Sequence, residues 1–132
     1  MPTYALTAVH AAAAEGRVMV GGANYTARLL PYVREYVKMV EFTEAVLLEL
    51  RAPDFMETKA YEGVQYDVYG IAISASLQER FSIQGLVSWY VKFTMEEDDA
   101  GDLVLMASLH EPTEPLRRAG GTLPVRFARR SP

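Results

Sequence analysis

Apolar and polar residues alternate most strictly in Ser88–Met95, where Trp89, Val91, Phe93 and Met95 interleave with Ser88, Tyr90, Lys92 and Thr94. A strand turns successive side chains to opposite faces, so the apolar set marks a buried face and the polar set an open one. Leu103–His110 continues the pattern, with Leu103, Leu105, Ala107 and Leu109 expected inward and Ser108 and His110 outward. The intervening Glu96–Asp102 is short, polar and contains Gly101, which predicts an antiparallel hairpin. A hairpin symmetric about Asp99 sets Tyr90 opposite Ser108, with Lys92 and His110 beside them. One open face then gathers a phenol, an ammonium, a hydroxyl and an imidazole.

Earlier segments read mainly as helix. Tyr4–Glu15 is alanine-rich, with Thr3 as its expected cap, Gly16 as its stop, and Leu6, Val9 and Ala13 as its buried stripe. Arg17–Val20 is a short strand, and Tyr25–Leu30 a second helix that meets Pro31. Thr43–Leu50 reads as a further helix capped by Thr43 and broken by Arg51–Asp54. Asp54–Lys59 and Val64–Ser74 read as strands, the latter rich in β-branched and aromatic residues. Leu77–Gln84 is ambiguous, a loop with a helical turn. Helices first and strands later predict an α+β fold, with the N-terminal helices on one face of a mainly antiparallel, twisted sheet. Prolines 112, 115 and 124 and Gly120-Gly121 predict that residues 1–111 form one domain and 112–132 a flexible tail.

At 132 residues, half of them hydrophobic, the chain suffices for a single core. No run reaches the roughly 18–20 apolar residues of a membrane span. The apolar N-terminal run has no basic region before it, which argues against a secretory signal. Cysteine is absent, which is compatible with a reducing cytoplasm and leaves no thiolate metal ligand. His10 and His110 lie in different elements, so no metal pair is expected, and His10 reads as a helix-surface or boundary residue. Residues 1–116 carry 8 basic and 17 acidic side chains, whereas residues 117–132 carry five arginines and no acid. So acidic a body repels nucleic acid unless a local basic patch or the arginine tail offsets it.

Read in order, Ala14–Val18, Val46–Leu50 running into Asp54-Phe55, Asp67-Val68-Tyr69, Tyr90–Phe93 and Ala107–His110 resemble the motility quorum-sensing regulator (MqsR) toxins. The match covers most of residues 4–110. It implies a RelE-like fold, metal-independent endoribonuclease activity on mRNA without a cofactor, a cytoplasmic toxin, and neutralisation by a cognate antitoxin protein. Homodimerisation stays open. The family's penultimate-strand tyrosine falls on Tyr90, and its lysine after the last strand on His110. Where the family continues Tyr-Lys after Asp-Phe, this chain has Met56-Glu57, with Lys59 nearby. Its glutamine before Asp-Val-Tyr is replaced by Tyr66, and the arginine tail is additional.

Metal-free RNA cleavage sends the ribose 2′-OH in line onto the adjacent phosphate. That step needs a base, an acid for the departing 5′-oxygen, and positive charge on the crowded phosphate. His110 is the best acid or base, Tyr90 an acid or a stacking platform, Lys92 a phosphate holder and Glu57 a base for the 2′-OH. Lys59, Tyr66 and Arg80 are the RNA-binding candidates. The competing reading is a catalytically degenerate relative that acts through a protein partner, favoured by the acidic body and Glu57. If the tail grips RNA, removing residues 117–132 should flatten the salt dependence of binding.

Overall fold

The computed structural model describes residues 1–125. In chain order the elements are α1 (Leu6–Ala14), β1 (Val18–Met19), α2 (Ala23–Leu29), α3 (Tyr36–Glu49), a 3-10 turn (Ala52–Asp54), β2 (Phe55–Tyr61), β3 (Val64–Ala72), α4 (Ala75–Arg80), β4 (Ser88–Asp98), β5 (Gly101–His110), β6 (Leu116–Arg118) and β7 (Gly121–Leu123). The main sheet has the order β1-β5-β4-β3-β2; β1 runs parallel to β5 and the other pairs are antiparallel. The fold is therefore α+β, with the helices packed against one sheet face. Val9, Leu29, Phe42, Val46, Trp89, Val91 and Phe93 meet in the core between them. Among the described residues no helix is long and apolar enough to cross a membrane.

Several local expectations change for identifiable reasons. α1 begins at Leu6 with no side-chain cap. The Thr3 and Tyr4 backbone N–H groups instead donate to the Asp67 carboxylate at 3.0 and 2.9 Å, which ties the N-terminus to β3. Gly16, at φ +72°, ends the turn after α1 as expected. α3 starts at Tyr36 rather than Thr43. Its first turns are rich in aromatic and β-branched residues of modest helix propensity, but Met39, Phe42 and Val46 at helical spacing bury the stripe that stabilises it. Thr43 is mid-helix and buried, donates to the Met39 carbonyl at 2.9 Å, and meets the Tyr25 hydroxyl at 2.8 Å. Ala75–Arg80 is a true helix, capped by Ser74 Oγ, which accepts from the Leu77 N–H. His10 is a boundary residue, its Nε2 lying 2.9 Å from the Leu50 carbonyl at the end of α3.

The β4–β5 register also differs from the symmetric hairpin. Asp98 pairs with Gly101, so the turn is the two residues Asp99-Ala100. Lys92 pairs with Ser108 while Phe93 pairs with Met106, which leaves Ala107 as an extra residue, a β-bulge. The bulge reverses the alternation of β5. Val104 and Met106 face the core on one side of it and Leu109 on the other, whereas Leu103, Leu105 and Ala107 do not. Tyr90 consequently lies opposite His110, not Ser108.

Residues 112–125 are not a flexible tail. β6 and β7 form a hairpin laid on the outer sheet face, with Leu116 buried. Arg118 donates to Asp54 Oδ1 at 2.7 Å and to the Gly70 carbonyl at 3.3 Å, and the Ala119 N–H donates to the Phe55 carbonyl at 2.8 Å. Gly70 permits this approach, because a Cβ there would sit 3.0 Å from Leu116 Cβ and Cδ1. Gly70→Val is therefore expected to lift the hairpin and cost about 1–3 kcal/mol by overpacking. Urea denaturation measures it, and an unchanged midpoint would contradict the packing. Arg126, Arg129 and Arg130 lie outside the described residues.

Candidate active site

The alternation of β4 and the bulge in β5 place Tyr90, Lys92, Ser108 and His110 together on the sheet face away from the helices. The β2–β3 register brings Glu57 and Lys59 to the same face, opposite Val68 and Tyr66. The chain around Thr113–Arg117, leading into β6, forms the facing wall, and Arg28 of the last turn of α2 closes one end. The result is a cleft of about 680 Å³ lined by Arg28, Met56, Glu57, Lys59, Tyr90, Lys92, Ser108, His110 and the Thr113–Arg117 segment.

Inside it the Tyr90 and His110 rings are stacked, with centroids 4.9 Å apart and planes 14° from parallel. His110 Nδ1 lies 2.7 Å from the Glu111 carbonyl. A carbonyl only accepts, so Nδ1 carries the proton and Nε2 keeps its lone pair. Burial pushes the imidazole below its ordinary value, and nearby Arg28 and Lys92 act in the same direction against the pull of Glu111. His110 is thus neutral at pH 7 and has the form of a general base.

Four cations, Arg28, Lys59, Lys92 and Arg117, line the cleft against two carboxylates, Glu57 and Glu114. This local excess of positive charge offsets the acidity of the body where an anion would bind. Among the described residues neither Lys92 nor Arg28 forms an ion pair, and Lys92 Nζ lies 5.5 Å over the Tyr66 ring. Glu57 Oε2 is 3.8 Å from Lys59 Nζ, both side chains about half exposed. No protein-family model matches the chain, and no curated protein matches it significantly.

Of the residues named from sequence, the fold brings Tyr90, His110, Lys92, Glu57 and Lys59 into one cleft. Tyr66 lies beside Lys92 at its margin. Arg80 does not join them: it is exposed at the end of α4, with its guanidinium 4.8 Å over the Phe81 ring. Arg28 carries no sequence signal for the cleft, because nothing in α2 indicates which distant strand its last turn will meet. Arg117, expected in the flexible tail, is a cleft residue. Truncation at 117 would also remove Arg118 and β7, so it is no clean test of RNA contact. Among the described residues no group of three or more His, Asp or Glu side chains is placed to hold a metal ion.

Proposed function

We propose that the cleft is the active site of a metal-independent endoribonuclease, a toxin of the MqsR kind that cuts mRNA in the cytoplasm and is held in check by an antitoxin protein. The observation that carries this reading is the neutral, oriented His110 stacked on Tyr90 with unpaired Lys92 and Arg28 close by. In the proposed step, His110 Nε2 takes the 2′-OH proton as that oxygen attacks the phosphate. The Tyr90 hydroxyl gives a proton to the departing 5′-oxygen, and Lys92 with Arg117 and Arg28 stabilises the charge gathered on the phosphate. In the MqsR resemblance Tyr90 falls on the family's tyrosine and His110 on its last lysine position, whereas Glu57 and Tyr66 depart from it and Arg28 and Arg117 lie outside its motifs.

Purified protein is expected to cut single-stranded RNA in EDTA and leave 2′,3′-cyclic phosphate ends. Uncut RNA at protein concentrations well above substrate would remove the reading. A pH profile adds a second check. Since His110 titrates below 6.5, kcat/KM should rise with pH through a limb below that value and be full at neutrality. A limb centred above pH 7 would take the base role from His110.

The placement of Glu57 and Glu114 in the cleft favours a second reading, a degenerate relative whose cleft receives a protein segment. Stable co-purification with a basic neighbour-encoded protein, without RNA cleavage or growth arrest on expression, would support it.

A further inference from the structure

Arg34, from the segment between α2 and α3, Lys38 of α3 and Arg80 at the end of α4 border a second depression of about 290 Å³, with Tyr32, Glu35 and Phe81. Lys38 is partly engaged by Glu41 at 3.5 Å. Arg34 and Arg80 are exposed and, among the described residues, in no ion pair. The Arg80 guanidinium lies 4.8 Å over the Phe81 ring, a cation–π contact that uses none of its N–H donors.

This depression adjoins the cleft through one residue. Tyr32, which lines it, donates its hydroxyl to Glu111 Oε1 at 2.6 Å, and His110, which lines the cleft, donates Nδ1–H to the Glu111 carbonyl at 2.7 Å. Burial, with Glu111 adding to it, pushes the Tyr32 phenol up to about 12, so it stays a donor to that carboxylate. The Glu111 carboxylate between the two surfaces thus accepts the Tyr32 hydroxyl and keeps its negative charge.

We propose that Arg34 and Arg80 form a distal phosphate subsite that grips the same single RNA strand beyond the nucleotides at His110. This inference rests on the ribonuclease reading of the cleft and deepens it. Cleavage in the cleft needs the strand to stay seated while the scissile phosphate is crowded. A second clamp, joined to the catalytic stack through Tyr32 and Glu111, supplies that hold.

The test uses non-cleavable 2′-deoxy single strands of about 3 and about 12 nucleotides in EDTA, followed by fluorescence anisotropy over a salt series. The double variant Arg34→Ala/Arg80→Ala is expected to bind the longer strand about tenfold more weakly, with the salt slope reduced by about 1.4 for two lost phosphate contacts, and to bind the shorter strand unchanged. Lys92→Ala should weaken both. An unchanged affinity and slope of the double variant for the longer strand, with Lys92→Ala still weakened, overturns the distal subsite and leaves the cleft reading standing. Failure of the wild-type protein to bind either strand overturns both. Poly-glutamate binding that depends on Arg34 and Arg80, with binding of the longer strand unaffected, assigns the surface to an acidic protein and likewise overturns the RNA subsite.

Discussion

His110→Ala is expected to slow RNA cleavage at pH 7 by about 10² or more, the range for loss of a positioned general base. The imidazole is oriented by the Glu111 carbonyl, kept neutral by burial and neighbouring cations, and stacked on Tyr90. Alanine would remove the proton acceptor and leave the cations in place, so under the proposed mechanism the rate should fall while RNA affinity changes little. Single-turnover cleavage of a defined oligonucleotide gives the rate, and anisotropy of its 2′-deoxy analogue gives the affinity. His110→Gln separates the two roles of the ring, because glutamine can still hydrogen-bond but cannot serve as a base near neutral pH. Full activity in either variant would transfer the chemistry to another group. Loss of affinity equal to the loss of rate would make His110 a binding residue.

Asp67→Ala is expected to destabilise the fold by about 3–4 kcal/mol, since charge-assisted hydrogen bonds and the donors they leave behind each carry about 1–3 kcal/mol. The carboxylate is fully buried in β3. Its two oxygens accept from the N–H of Thr3, the N–H of Tyr4 and the Thr58 hydroxyl at 3.0, 2.9 and 2.7 Å. One side chain therefore joins the N-terminal segment, β2 and β3. The Tyr4 hydroxyl reinforces that junction through the Gln65 carbonyl at 3.0 Å and the Thr94 hydroxyl at 2.9 Å. Asp67→Asn keeps the shape but turns an amide N–H toward another donor, so it should cost about half as much. Urea denaturation followed by Trp89 fluorescence, the indole being fully buried, measures both. A loss below about 1 kcal/mol for the alanine variant would mean that the N-terminal donors find water at no cost. Asp67 belongs to the Asp-Val-Tyr motif that contributed to the family resemblance, and in this fold the residue holds the framework beneath the cleft.

How much of the site was legible follows from which physical rule placed each residue. Tyr90, Lys92 and His110 share a face because side chains alternate along a strand, a property of the local chain. Their pairing was not legible, because the turn at Asp99-Ala100 and the bulge at Ala107 shift the register by steps that alternation does not encode. Asp67 did carry a signal. It is an acid in line with Tyr69 and Ile71 on the core face of β3, and such a group must find several donors when buried. α3 extends back from Thr43 to Tyr36 because the apolar spacing of Met39, Phe42 and Val46 outweighs the modest helix propensity of Tyr36–Phe42.

The sequence by itself determined the α+β class, the shared face of Tyr90, Lys92 and His110 on the last long hairpin, and the chemical types assembled there. Those depend on periodicity and on residue identity. Tertiary structure alone decided that Arg28 and Arg117 join the cleft, that the hairpin after Pro115 walls it, and that Arg80 stands outside it. Each of those placements is a contact between segments far apart in the chain. Such contacts are set by how the helices pack and by the bare backbone of Gly70, where Leu116 and Arg118 find room to settle.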